Sequence, residues 1–342
     1  GTGAAAATTA VVAIVPPFAR LYAASSLATR EKAETAVAAA APSGVADGGA
    51  GGKLRFATAM PSSVGSQIAI VFMRTAQKAW RNRIFNTIRL AVVLFIALFF
   101  GLTFYQLNAN DQAGVLSILG LCFSAGVFSG ISMLNTLLPH MFQFRPVFYR
   151  ERAARYYRPE AYSIANIGVE LPWIAGYSLL FCAISYFLHG FRANAASFFT
   201  YLLAHYLESV AFASLACIFA AVIPAVELAS IMAGISISLI NLFAGVVVPI
   251  TEMRPHSSWF YYVNFASHAQ RLSSLSQFNP TDNSNIIELP GRTFVTSYDY
   301  AESRLGMRYE DRWAAAGWLV LIIGIFNILA FAANRWINHQ KR

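Results

Sequence analysis

Long apolar runs, separated by short polar segments, fill the chain from about residue 88 to its end. Each of six runs is long enough to cross the roughly 30 Å hydrocarbon core of a bilayer as a helix. In lipid every backbone amide needs a partner, and a helix provides these partners within its own segment. The pattern predicts six membrane-spanning helices, spans one to six: Ile88–Leu107, Ala113–Leu138, Ala161–Leu188, Ala195–Val222, Val226–Ile250 and Trp313–Ile337.

A different pattern precedes span one. Apolar positions recur at i, i+3 and i+4 from Ser66 onward, while Arg74, Lys78 and Arg81 lie on another face. This spacing predicts an amphipathic helix, and a basic helix beside a span is typical of the cytoplasmic membrane surface. An ordinary surface helix is the alternative. We assign residues 66–87 to this helix, with an apolar face formed by Ile68, Val71, Phe72, Thr75 and Ala79.

The first 65 residues have a low-complexity composition rich in Ala and Gly. Such a composition predicts a linker that is mostly flexible. Its Gly51-Gly52-Lys53 is not a phosphate-binding loop, because Asp47 and Leu54 stand where that loop needs Gly and Ser or Thr. The chain does not begin with Met, and we expect residue 1 to lie inside a longer protein.

Composition and charge agree with lipid as the solvent. Apolar residues make up 57% of the chain and charged residues 12%, whereas about a quarter of the residues in soluble domains are charged. The net charge of +9 comes mainly from arginines at the ends of the apolar runs. This distribution indicates membrane topology and disfavours nucleic-acid binding.

The arginines also predict the orientation of the spans. Several of them occupy the segment between spans two and three, and others precede span one and follow span six. Because basic residues favour the cytoplasmic side, we expect both termini to be cytoplasmic. Residues 251–312, between spans five and six, are then expected to form a small extracytoplasmic cap.

Two carboxylates inside the spans are costly in lipid. Glu170 lies in span three and Glu208 in span four. In a secondary transporter they would be ion or proton sites, and otherwise they would pair with polar groups within the bundle. No catalytic motif or metal-ligand spacing occurs in the sequence, and the three cysteines lie in apolar runs that imply no disulfide framework.

Spans two and five carry faces of small and polar residues, including Gly126-x-x-x-Gly130 on span two. Such faces either pack helix against helix or line a substrate path. The glycines favour packing, whereas an amide in the membrane must find a partner. The candidate substrate-path residues are Phe128, Asn135, Ser238 and Asn241.

The most specific segment is FRPVFYRERAARYYRPEAYSIANIGVELP, at Phe144–Pro172. It resembles the cytoplasmic loop of the G-type, or pleiotropic drug resistance, ABC transporters. WRNRIFNTIRL before span one, the segment Phe243–Phe278 and YAESRLGMRYEDRW before span six are also similar to that family, in the same order. FARLYAASSL, at Phe18–Leu27, resembles the linker after the second nucleotide-binding domain of full-size members. The resemblance departs at Tyr157–Glu160, where many members have a shorter polar turn.

The resemblance implies an all-α membrane protein, with a six-span transmembrane domain of the ABC type-2 exporter kind at residues 88–342, a connecting helix and an extracytoplasmic cap. Its function would be the export of hydrophobic or amphipathic molecules, as a translocase only within a full transporter. Residues Val147–Tyr157 would form the coupling helix. Within it, Arg150, Glu151 and Arg152 would contact either the nucleotide-binding domain or the connecting helix.

The implied partners are a nucleotide-binding domain, a second transmembrane domain and the lipid bilayer of the plasma membrane. Spans two and five of the two transmembrane domains would enclose the substrate cavity. This chain needs no cofactor of its own, since ATP and Mg²⁺ would bind to the nucleotide-binding domain. Two alternatives stay open: a secondary transporter that uses Glu170 and Glu208, and a non-transporting fragment.

Overall fold

A computed structural model describes residues 25–40, 62–280, 286–289 and 293–339. Two units divide the chain, Gly1–Ala59 and Met60–Arg342. In the first, the described residues form one helix, α1 (Ser26–Ala40), which carries an ion pair between Arg30 and Glu34 at 2.9 Å. The rest of the predicted linker, apart from residues 62–65, lies outside the described residues.

The second unit consists of helices and one short hairpin. Its elements are α2 (Val64–Arg81), α3 (Arg83–Thr103), α4 (Gln112–Ala153), α5 (Pro159–Leu188), α6 (Ala195–Val222), α7 (Val226–Leu242), α8 (Ser258–Val263), α9 (Phe265–Gln277), β1 (Ile286–Leu289), β2 (Thr293–Thr296), α10 (Ser297–Leu305), a 3₁₀ turn (Tyr309–Asp311) and α11 (Arg312–Trp336). The two strands pair antiparallel, with Ile287 opposite Val295.

The predicted spans one to six correspond to α3, α4, α5, α6, α7 and α11. Among the described residues, five of these helices are long and apolar enough to cross a membrane. The remaining helix, α7, corresponds to span five. It has 17 residues and a length of about 25 Å. The chain is therefore a multi-pass helical membrane protein, as the apolar runs predict.

The connecting helix, expected at residues 66–87, ends at Arg81, and span one, expected at Ile88–Leu107, is the helix Arg83–Thr103. Spans two and five differ more from the prediction. Span two was expected to end at Leu138, but α4 continues to Ala153 through Pro139 and Pro146. At 42 residues it is about 63 Å long, twice the thickness of the hydrocarbon core, so the expected coupling helix is the end of α4 followed by a turn.

Span five was expected to reach Ile250, but α7 ends at Leu242. Gly245 has a φ of +95°, which favours glycine and is incompatible with a continuing helix. The Asn264 side chain donates to the Ile240 carbonyl at 2.7 Å and so satisfies one of the last carbonyls of α7.

The core of the bundle forms around α6, which packs against α4, α5, α7, α9 and α11. The close contact of α4 with α6 depends on glycine. A Cβ atom on Gly130 would lie 2.0 Å from the Phe212 ring, and one on Gly126 would lie 2.2 Å from the Glu208 carboxylate. These glycines therefore serve helix packing, as small residues do in membrane bundles.

The segment predicted as an extracytoplasmic cap is only partly peripheral. Its helix α9 packs against α4, α6 and α11, and nearly all of its side chains are buried. The Gln270 amide donates to the Leu119 carbonyl of α4 at 2.9 Å. At 13 residues α9 is about 20 Å long, too short to cross the membrane.

Candidate functional site

A charged cluster joins α2 to a helical hairpin, which consists of the end of α4, the turn at residues 154–158 and the start of α5. The Arg74 guanidinium donates two hydrogen bonds to the Glu151 carboxylate, at 2.6 and 2.8 Å. The Tyr157 hydroxyl donates a third to the same carboxylate, at 2.6 Å. A two-bond contact between guanidinium and carboxylate fixes the orientation of both groups, so Glu151 holds the position of α2 on the hairpin.

The electrostatics of the cluster keep these hydrogen bonds in place at neutral pH. The hydrogen bond to Glu151 raises the pKa of Arg74. Burial, and then the adjacent Glu151 carboxylate, raise the pKa of Tyr157. Burial and the charge of Arg74 lower the pKa of neighbouring Lys78 to about 8. Arg74 therefore stays charged and Tyr157 stays protonated.

An apolar cluster lies beneath these charges, and a second polar contact lies beside it. Val71 of α2 packs with Phe148, Tyr149, Tyr157, Ala161 and Ala165, as the predicted apolar face requires. The buried Gln67 side chain accepts from the Arg158 backbone amide at 3.0 Å. Its own amide donates to the Ser62 carbonyl at 2.9 Å. The connecting helix is thus attached at two places along its length.

The other arginines of the loop point to different helices. Arg152 donates to the carbonyls of Asn334 and Ile337 at the end of α11, at 2.8 and 2.9 Å. Arg150 is exposed, and its side chain donates to the Pro146 carbonyl of its own helix, at 3.4 Å. Among the contacts in the described residues, Glu151 is the one of the three predicted coupling residues that bonds to the connecting helix.

The two intramembrane carboxylates have different surroundings. Glu170 pairs with Arg89 at 2.8 Å, with exposed side-chain fractions of 8% and 3%. Rings of Phe85 and Tyr177 lie 5.0 Å from the Arg89 guanidinium. Glu208 is also buried, but within the described part of the chain its carboxylate has no hydrogen-bond or ion-pair partner.

The predicted substrate-path residues lie on two helices that pack together, α4 and α7. Phe128 and Asn135 of α4 and Ser238 of α7 are exposed, and the Ser238 hydroxyl donates to the Gly234 carbonyl of its own helix. Asn241 is partly buried, and its side-chain carbonyl lacks a hydrogen-bond partner in the structure as described. No hydrogen bond joins these four residues, all of which lie in described segments.

Sequence reasoning did not identify Arg74 and Tyr157 as the partners of Glu151, nor Arg89 as the partner of Glu170. Both ion pairs join residues that are about 80 positions apart in sequence. A weak signal existed for Arg89, because an arginine within a predicted span needs a partner.

Comparison with known proteins gives a family match. The ABC-2 type transporter family matches residues 66–278, which include the connecting helix, the first five predicted spans and α9. The match therefore includes the segments that form the charged cluster and the helix bundle, apart from α11.

Curated relatives include members of the ABC transporter G family from plants. Member 49 of Oryza sativa subsp. japonica is 28% identical over 82% of this chain and 19% of the relative. Member 36 of Arabidopsis thaliana is 27% identical over 95% of this chain and 22% of the relative. Member 35 of the same plant is 26% identical over the same shares. The chain spans about one fifth of the length of these relatives.

Proposed function

Since the chain belongs to the ABC-2 type transporter family, as a transmembrane domain of the G type, we propose that it moves hydrophobic or amphipathic molecules outward across a membrane. The energy comes from ATP, which is hydrolysed with Mg²⁺ on a separate nucleotide-binding domain. The membrane is the plasma membrane. The family match carries this proposal, because it covers the connecting helix and the hairpin that would meet such a domain.

The charged cluster supports a mechanism for energy transfer. A nucleotide-binding domain that moves the end of α4 also moves α2, because Glu151 of α4 is bonded to Arg74 of α2. Tyr157, which lies between α4 and α5, bonds to the same carboxylate. Arg152 connects the same end of α4 to the end of α11. A movement of this hairpin is therefore transmitted to α2 and α11 through directed hydrogen bonds.

The exposed face of α7 supports a second transmembrane domain as partner. Only Ala229 and Ala233 of this helix are buried, while Ser230, Gly234 and Ser238 are exposed. Small residues let helices approach closely in lipid, and an exposed amide such as Asn135 is costly there. A second domain that covers α4 and α7 would remove this cost and enclose a substrate path.

The main alternative, a secondary transporter, receives less support. A carboxylate that binds a transported ion must release it, whereas Glu170 is held by the buried Arg89. Glu208 has no such cation, and it remains the residue on which this alternative depends. Its carboxylate packs against Gly126, at the close contact of α4 with α6.

Replacement of Glu151 tests the coupling mechanism. In the complete transporter, Glu151→Ala should lower substrate-stimulated export while ATP hydrolysis continues. Folding should change little, since ion pairs with an exposed partner contribute about 0–1 kcal/mol. Export and ATPase activity are measured in the same membranes. Arg74→Ala should give the same defect, and the double variant should be no worse than either single variant.

Glu160→Ala is the matched control. It removes a carboxylate from the same hairpin, but one that pairs with Arg335 of α11 at 3.0 Å and, among the described residues, forms no hydrogen bond or ion pair with α2. Normal export by Glu151→Ala, or an equal loss in Glu160→Ala, contradicts a specific role for the bond between Glu151 and Arg74.

A further inference from the structure

A cavity of about 280 Å³ lies between α4, α5, α6 and α11. Its walls are mostly apolar and include Ile164, Ile328 and Phe331. The volume would hold roughly nine water molecules at about 30 Å³ each. None of the four candidate substrate-path residues lines it, and α7 is not part of it. The cavity is therefore separate from the face at which we propose transport.

Three asparagine side chains enter this apolar cavity. Asn327 donates to the Ser214 hydroxyl at 2.9 Å, and Asn334 donates to the Ser163 hydroxyl at 3.1 Å. Asn166 also lines the cavity, but its amide has no hydrogen-bond partner in the described residues. Because an unpaired amide in the membrane costs several kcal/mol, a bound molecule with polar groups at this depth would be stabilised.

Positive charge surrounds one end of the cavity. Arg145 lines it and donates to the carbonyls of Ala220, Ile223 and Pro224 at the end of α6. Arg152 donates to carbonyls at the end of α11, including that of the cavity residue Asn334. Neither arginine has a carboxylate partner among the described residues.

The positive charges of Arg145 and Arg152 are larger than the partial negative charges of the helix ends that they cap. The C-terminus of a helix carries roughly half a negative charge, so each arginine leaves a positive remainder. The nearby pair of Arg335 with Glu160 is neutral overall. The arginine distribution assigns this end of the bundle to the cytoplasmic leaflet, which contains anionic lipids.

We propose that the cavity binds one phospholipid with an anionic head group from the cytoplasmic leaflet. An acyl chain fills the apolar part, the ester groups lie at the Asn166 amide, and the phosphate lies at Arg145 and Arg152. This inference goes beyond the proposed transport function and does not depend on it, because the lipid is a resident ligand that binds without nucleotide.

Native mass spectrometry of the purified full chain tests the proposal. Detergent-solubilised protein is incubated with equal amounts of phosphatidylserine or phosphatidylcholine, and the lipids retained under activation are counted. We expect one phosphatidylserine to remain when phosphatidylcholine has dissociated. Arg145→Gln should lower this occupancy about fivefold, the effect of one basic residue near anionic lipid. Arg155→Gln, an exposed loop arginine that does not line the cavity, should leave it unchanged.

A native cysteine provides a second measurement that needs no variant. Cys217 lines the cavity and is partly accessible, whereas Cys122 and Cys182 are buried. Added phosphatidylserine should slow alkylation of Cys217 by N-ethylmaleimide, and phosphatidylcholine should not.

If Arg145→Gln does not fold, Asn166→Leu replaces it in the lipid-retention experiment, since this substitution removes the amide at nearly the same volume.

Three results would overturn the proposal. Equal retention of the two lipids, or retention of neither, excludes a site for an anionic head group. An equal loss in Arg145→Gln and Arg155→Gln assigns the effect to net charge alone. Alkylation of Cys217 that does not respond to phosphatidylserine shows that the lipid binds elsewhere.

Discussion

Replacement of Arg89 by glutamine should destabilise the protein strongly, because it leaves the Glu170 carboxylate buried without its cation. The pair lies at 2.8 Å, and both side chains are less than one tenth exposed. Removal of one partner from a buried pair costs about 3–5 kcal/mol. At about 2–4 °C for each kcal/mol, the melting temperature should fall by on the order of 10 °C.

Replacement of both partners should cost far less. In the double variant Arg89→Met with Glu170→Met, no charge is left unpaired, and apolar side chains of similar length fill the site. Such replacements are often neutral or stabilising. The double variant should therefore melt within a few degrees of the unmodified protein, and its stability should exceed that of either single variant.

Thermal unfolding of the purified chain, followed by tryptophan fluorescence in one detergent, measures these differences. Arg304→Gln is the control, because Arg304 pairs with Glu252 at 3.2 Å with both side chains about half exposed. It should cost less than about 1 kcal/mol. The reasoning fails if Arg89→Gln melts like the control, or if the double variant is as unstable as Arg89→Gln.

Two further predictions concern topology and helix packing. A cysteine at Ser303 should react with a membrane-impermeant maleimide on intact cells, whereas one at Ala153 should react only after permeabilisation; the opposite pattern excludes the proposed orientation. Gly130→Ala should destabilise the protein by about 1–3 kcal/mol, since its Cβ would lie 2.0 Å from the Phe212 ring. Gly120→Ala in the same helix, where a Cβ meets nothing within 4 Å, should be neutral or stabilising, and equal melting temperatures contradict this account of the packing.

The membrane explains why much of the fold could be predicted from the sequence. Lipid demands that each crossing segment be apolar and helical, and so the predicted span Ala195–Val222 coincides with α6. The amphipathic pattern likewise identified the helix at Val64–Arg81. In both cases a local pattern determines the structure directly.

Features that depend on distant contacts could not be predicted in this way. The burial of the polar helix α9 could not be predicted, because its polar side chains find partners within the folded bundle, as Gln270 does at Leu119. The pairing of Arg89 with Glu170 depends on how α3 meets α5. Helix α4 continues through Pro139 and Pro146, although prolines usually end a helix.

The candidate site was predicted in part. The family resemblance implied that Glu151 would contact either the nucleotide-binding domain or the connecting helix, and Arg74 of the connecting helix bonds to Glu151. The same role was predicted for Arg152 and Glu151. In the structure Arg152 instead donates to carbonyls at the end of α11. The substrate-path residues remain a prediction, because their role depends on a second domain that faces α4 and α7.

Transport by the complete protein in inside-out membrane vesicles tests the central claim most directly. We measure uptake of a fluorescent amphipathic compound with ATP and Mg²⁺, with a non-hydrolysable ATP analogue, and with a proton gradient alone. The account predicts uptake with hydrolysable ATP only. Uptake driven by the proton gradient without ATP, and lost in Glu208→Gln, would contradict it and identify a secondary transporter.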